Sequence, residues 1–120
     1  DVAFDLPEGH PDEGEDVAAY YLWLFPNMMF NFYPWGLSVN IVIPVSPTQC
    51  RVLYRGYVKD GNLAEQGAGS VLDTVEDQDQ WVVEAVQIGM GSRAYDRGRY
   101  SPTREQGVHH FHRMLSRLHP

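Results

Sequence analysis

Between Ala19 and Val58 the sequence leaves room for little except short strands joined by tight connections. Four runs rich in aromatic and branched residues, AYYLWLF, MMFNFY, GLSVNIVIPVS and QCRVLYRGYV, are separated by Pro26-Asn27, Pro34-Trp35-Gly36 and Ser46-Pro47-Thr48. Connections this short imply an antiparallel meander. In the third run Leu37, Val39, Ile41, Ile43 and Val45 alternate with Ser38, Asn40 and Pro44, which makes one face of the sheet apolar and the other more polar. An apolar sheet face needs a cover.

The cover is expected downstream. After the Gly-rich polar stretch KDGNLAEQGAG, Ser70 is a suitable N-cap for a helix running to about Met90, with Gly89 and Gly91 ending it. The turn-rich basic segment SRAYDRGRYSP follows, and Pro102 opens the first turn of a last helix, TREQGVHHFHRMLSRL. The chain therefore reads as α+β, an antiparallel sheet wrapped on a long helix. Residues 1–19, acidic and with little periodicity, read as an exposed connecting segment, and residues 20–120 as one folded region.

Composition narrows the class of partner. At 43% hydrophobic and 21% charged residues the chain is that of a folded protein, and 120 residues suffice for a single core. A net charge of -7 argues against a nucleic-acid partner, which would require clustered Lys and Arg to replace counterions. The lone Cys50 has no internal disulfide partner, no apolar run is long enough to span a bilayer, and the N-terminal residues are acidic, unlike a signal peptide. These features are read as those of a cytoplasmic protein with no membrane partner.

The long helix carries a conspicuous carboxylate. With about 100° per residue, Val86, Met90 and Leu72 fall within roughly 20° of Asp79, and Val75 and Val83 within roughly 40°. Asp77 falls roughly 160° away, beside Glu84, Ile88 and Trp81. Asp79 is thus expected to point inward, where a carboxylate needs a cation, a metal or a set of hydrogen bonds. Arg51, Arg55, Arg93, Arg97 and Arg99 are candidate structural partners, and a metal or general-base role in a pocket is the functional alternative. His109 and His112 with Glu105 have a ligand-like spacing, but Val108, Phe111, Leu115 and Leu118 form an apolar stripe whose flanks those histidines would decorate.

The run LFPNMMFNFYPWGLSVNIVIPVSPTQCRVLYRGYV, then QDQWVVEAVQIGMGSRAYDRGRYSPTREQGVHHFHRML, resembles the C-terminal part of the catalytic domain of Rieske-type non-heme iron oxygenases, most of all the choline- and carnitine-monooxygenase-like and aromatic-ring-hydroxylating alpha subunits. The resemblance implies a helix-grip, START-like domain that hydroxylates a small aromatic or quaternary-ammonium substrate with dioxygen. It implies a mononuclear ferrous iron held by two histidines and a carboxylate. Carried onto this chain, the carboxylate is Asp79, with Asp77 as runner-up, and the substrate would lie near Phe30, Phe32, Asn40 and Val42. A [2Fe–2S] cluster in a Rieske domain, a ferredoxin or reductase, and a trimeric homo-oligomer would complete the system.

Two departures accompany the match. A Rieske cluster needs two Cys and two His, and this chain has one Cys. The iron-binding histidines of the family lie upstream at a spacing that none of His10, His109, His110, His112 and His119 reproduces. The chain is therefore expected to be a fragment or one piece of a split subunit, not competent alone. A metal-free ligand-binding or regulatory module of the same fold is the alternative.

Overall fold

A computed structural model of the chain describes residues 2–64, 66 and 72–118. Four strands, β1 (Tyr20–Leu24), β2 (Met28–Tyr33), β3 (Gly36–Ser46) and β4 (Gln49–Val58), form one antiparallel sheet in the order β1-β2-β3-β4. Two helices follow, α1 (Leu72–Met90) and α2 (Gln106–Leu118), so the fold is α+β. The chain divides into two compact units, residues 1–76 and 77–120. The sheet belongs to the first unit, and most of α1 together with α2 belongs to the second.

The strands form where the alternating runs place them, and their register fixes two distinct faces. Tyr20 pairs with Phe32, Phe30 with Val39 and Val39 with Arg55, so Tyr20, Leu22, Phe30, Phe32, Leu37, Val39, Ile41 and Leu53 share one face. Tyr21, Asn31, Tyr33, Ser38, Asn40, Val42 and Tyr54 share the other. The alternation expected through Val45 breaks near the end of β3, where the register shifts between Pro44 and Ser46. Pro44 has no N–H to donate to the ladder, and Val45 is left 59% exposed beside the turn.

The best-protected part of the first unit lies at the β2–β3 turn. Tyr33, Trp35, Ser38 and Val39 are the buried residues among those described. The Tyr33 and Trp35 rings stack at 5.1 Å and 6°, and Tyr21 meets Tyr33 edge-on at 6.2 Å. The Trp35 carbonyl accepts both the Lys59 and the Asp60 N–H, at 2.7 and 3.0 Å, which ties the exit of β4 to this turn. Gly36, opposite Val58, has no alternative residue of larger size, because a Cβ there would run into the Tyr57 carbonyl oxygen.

Burial pushes the Tyr33 phenol up from its ordinary value, helped by its hydrogen bond to Tyr21 and by the charges of Tyr21 and Glu76. The neutral phenol is therefore favoured in the folded state. Above the usual tyrosine pKa of about 10 the unfolded chain ionises and the folded chain resists, so the stability present below about pH 10 should be lost as the pH rises beyond it. Urea midpoints measured on either side of that pH should fall for the wild type and fall less for Tyr33→Phe.

Residues 2–19 differ from the exposed connection read from the sequence. The Phe4 N–H donates to the Val17 carbonyl at 2.9 Å, the Phe4 ring lies 5.3 Å from Tyr20, and the Tyr20 hydroxyl donates to Asp12 at 2.8 Å. Asp12 in turn donates its N–H to His10 Nδ1 at 3.1 Å. Val2, Phe4, Leu6 and Val17 are half-buried in this arrangement, and Phe4 has the aromatic at the start of β1 to pack on.

The helices keep their expected identity and change their ends. Ser70, the expected cap, lies outside the described residues. Gly89 is inside α1, which ends at Met90 with Gly91 and Ser92 donating to the Ile88 and Gly89 carbonyls. The last helix begins at Gln106, not beside Pro102. Residues 102–104 form a separate turn, in which the Glu105 carboxylate accepts the Ser101 N–H at 2.6 Å and the Glu105 N–H donates to the Ser101 carbonyl. That local side-chain bond competes with the first helical turn. In α2, Phe111, Met114 and Leu115 are half-buried, whereas Val108 and Leu118 of the expected stripe are exposed.

Candidate functional site

Helix α1 is regular from Leu72 to Met90, so the side of the helix that Asp79 shares with Val75, Val82, Val83, Val86 and Met90 follows from its period. Those apolar residues are 43–64% exposed, against 70% for Trp81 and 79% for Ile88 on the opposite side. The two sides differ, but neither is buried. Asp79 is itself exposed, which corrects the inward, desolvated carboxylate read from the sequence. Helical period defines which residues stand together and is silent on whether anything covers them. A carboxylate in water needs no compensating cation, and no ion pair reaches Asp79 among the described residues. Asp77 is exposed too, so burial does not separate the two aspartates and only the helical face does.

The four candidate substrate residues do not form one surface. Phe30 and Phe32, whose rings lie 6.4 Å apart, occupy the apolar face, and Asn40 and Val42 lie on the opposite face. An even spacing is needed for two strand residues to share a side, and because Asn40 pairs with Met29 and Val39 with Phe30, Asn40 and Phe30 lie on opposite faces. Asn40 accepts a hydrogen bond from the Ser38 hydroxyl at 3.1 Å, and the Val42 backbone is fixed by Asn27, whose carbonyl and side-chain amide bond its N–H and C=O. The face of Asn40 also holds Tyr21, Asn31, Tyr33 and Tyr54, a set of hydrogen-bonding side chains that the sequence reading passed over. The signal was present in β2, where Asn31 alternates with aromatic residues.

The remaining cluster lies in the second unit. The Tyr100 ring rests 4.9 Å from His109 and 5.7 Å from His112, and its hydroxyl is 2.5 Å from His112 Nδ1. Since Glu105 serves the Ser101 N–H and His112 meets Tyr100, the ligand-like spacing of His109, His112 and Glu105 is used for local structure. Among the described residues no group of three or more His, Cys, Asp or Glu side chains comes together as a metal would require. The described residues therefore do not bring together a three-donor site. Asp79 offers a single carboxylate. Among the described residues no helix is long and apolar enough to cross a membrane.

Comparison with known proteins gives this arrangement its context. The model of the ring hydroxylating alpha subunit (catalytic domain) matches residues 3–119. A choline monooxygenase of the chloroplast from Arabidopsis thaliana is 38% identical over 103 residues, 81% of this chain and 24% of that protein. The corresponding protein of Spinacia oleracea is 32% identical over 115 residues, covering 91% and 25%. A carnitine monooxygenase oxygenase subunit from Escherichia coli (strain K12) is 29% identical over 119 residues, covering 89% and 32%. The chain thus spans about a quarter to a third of the length of these relatives. No solved structure matches it. With a match over almost its whole length, the chain belongs to the family of ring hydroxylating alpha subunits, within their catalytic domain.

Proposed function

We propose that the chain serves as part of the catalytic domain of a Rieske-type mononuclear iron oxygenase that hydroxylates a small substrate carrying a quaternary ammonium group. The observation that carries this reading is the 38% identity to a choline monooxygenase, joined to the family match over residues 3–119. On this reading the sheet and α1 take up a helix-grip, START-like arrangement, Asp79 is the carboxylate ligand with Asp77 as runner-up, and both histidine ligands come from outside this chain. Bound iron would supply dioxygen activation, and electrons would come from a [2Fe–2S] cluster and a ferredoxin or reductase. The assembly would be a homo-oligomer in a reducing, cytoplasm-like compartment.

The chain's own contribution would be binding and positioning. Asn31, Ser38 and Asn40 give one sheet face hydrogen-bonding capacity for a hydroxyl or carboxylate, and Tyr21 and Tyr54 beside them present aromatic faces suited to a cation. Phe30 and Phe32 face the other way and would support the fold from the apolar side.

The test uses the natural polypeptide that contains this segment, supplied with a reductant and electron-transfer protein. Choline or carnitine should stimulate oxygen uptake with matching product, and aromatic acids should not. Absence of substrate-dependent oxygen uptake in a preparation that holds iron would overturn the reading.

A further inference from the structure

We propose that Tyr100 and His112 form a proton-coupled redox pair, in which Tyr100 gives up an electron and passes its phenolic proton to His112 Nδ1. Removing an electron from a phenol makes its proton very acidic, so a tyrosine is oxidised readily only where a base already receives that proton. Tyr100 has such a base. Its hydroxyl lies 2.5 Å from His112 Nδ1, and with the imidazole neutral and protonated at Nε2 the phenol is the donor. The loop that carries Tyr100 is held in place by the Ser101 to Glu105 bond, and Tyr100 is 45% exposed, within reach of an oxidant in solution.

The chain holds its own comparator. Tyr20 also donates to a base, Asp12, at 2.8 Å. An imidazole is the stronger proton acceptor of the two, so Tyr100 should be oxidised first. Beside His112 stand Tyr100 from the preceding loop, the Phe111 ring at 5.9 Å and Arg113 next in sequence, and His109 lies 4.9 Å from the Tyr100 ring. Among the described residues no ion pair reaches His112, and Arg97 of the same loop is paired with Asp96.

The balance is one electron to an outside one-electron acceptor, one proton to His112 and a neutral phenoxyl radical left on Tyr100. In an oxygenase such a pair gives a stray oxidising equivalent a surface exit, a role that rests on the function proposed above. The redox chemistry does not, so the test avoids turnover and iron altogether. The natural polypeptide carrying this chain is oxidised with photogenerated tris(bipyridine)ruthenium(III), and the tyrosyl radical is followed by transient absorption and electron paramagnetic resonance.

The early radical should disappear in Tyr100→Phe and persist in Tyr20→Phe. In His112→Asn the side-chain amide still accepts a hydrogen bond but is no base, and formation should slow roughly tenfold. A radical unaffected by Tyr100→Phe, or an unchanged rate in His112→Asn with α2 intact by circular dichroism, would overturn the proposal.

Discussion

Iron content should fall by at least about tenfold when Asp79 is replaced by Ala in the natural polypeptide that contains this segment, and should be unchanged in Asp77→Ala. The contrast rests on helix geometry. The two aspartates are two residues apart on α1 and both exposed, so they have nearly the same solvation and local sequence, but they stand on opposite sides of the helix. An iron bound by residues from outside the chain would approach the side that carries Val75, Val82, Val86 and Met90, because that apolar stripe is the one a covering element would exclude from water. Misfolding cannot explain a loss of iron in Asp79→Ala, since Ala is the better helix former at an exposed mid-helix position. Metal analysis after exhaustive dialysis, with helicity recorded on the same samples, decides the matter; full iron in Asp79→Ala would remove the aspartate from the ligand set.

Trp35→Ala should destabilise the sheet unit by about 3–5 kcal/mol, a loss visible as a large drop in urea midpoint. Trp35 is 4% exposed and stacks on Tyr33, and Tyr33, Trp35 and Val39 are the buried apolar residues among those described. A domain of this size is stabilised by about 5–15 kcal/mol in total, so the substitution removes a large fraction of what is available. Trp35→Phe keeps an aromatic face for Tyr33 and should be milder. Val45→Ala, at a residue 59% exposed beside the β3–β4 turn, should stay within about 0.5 kcal/mol of the wild type. If Trp35→Ala and Val45→Ala shift the midpoint equally, the β2–β3 turn is not the core of the sheet.

The sequence made the meander readable because two independent signals agreed there. Period-two alternation set the strands, and Pro26, Pro34, Gly36 and Pro47 set their ends, so the expected and observed β2, β3 and β4 coincide. Helix ends were harder. The Ser101–Glu105 hydrogen bond delays α2 past the position that Pro102 marked, and a side-chain bond of that kind is not written in hydrophobic period. The site was legible only in part. Period located Asp79 on the apolar side of α1 but carried no information about cover, which depends on what packs there. The family resemblance placed Phe30 and Asn40 together, but the register that separates their faces depends on pairing through the Tyr33–Gly36 turn. Tyr100 and His112, 12 residues apart, come together through a turn whose path no short motif announces.

The Trp35 carbonyl, shared by two consecutive amides after β4, works as a clamp at the last point where the sheet governs the path of the chain. Residues inserted or deleted beyond Asn62 should leave strand pairing untouched, because slack introduced there stops at the clamp. The segment between β4 and α1 is accordingly the place to vary length, to splice in a reporter or to attach a probe.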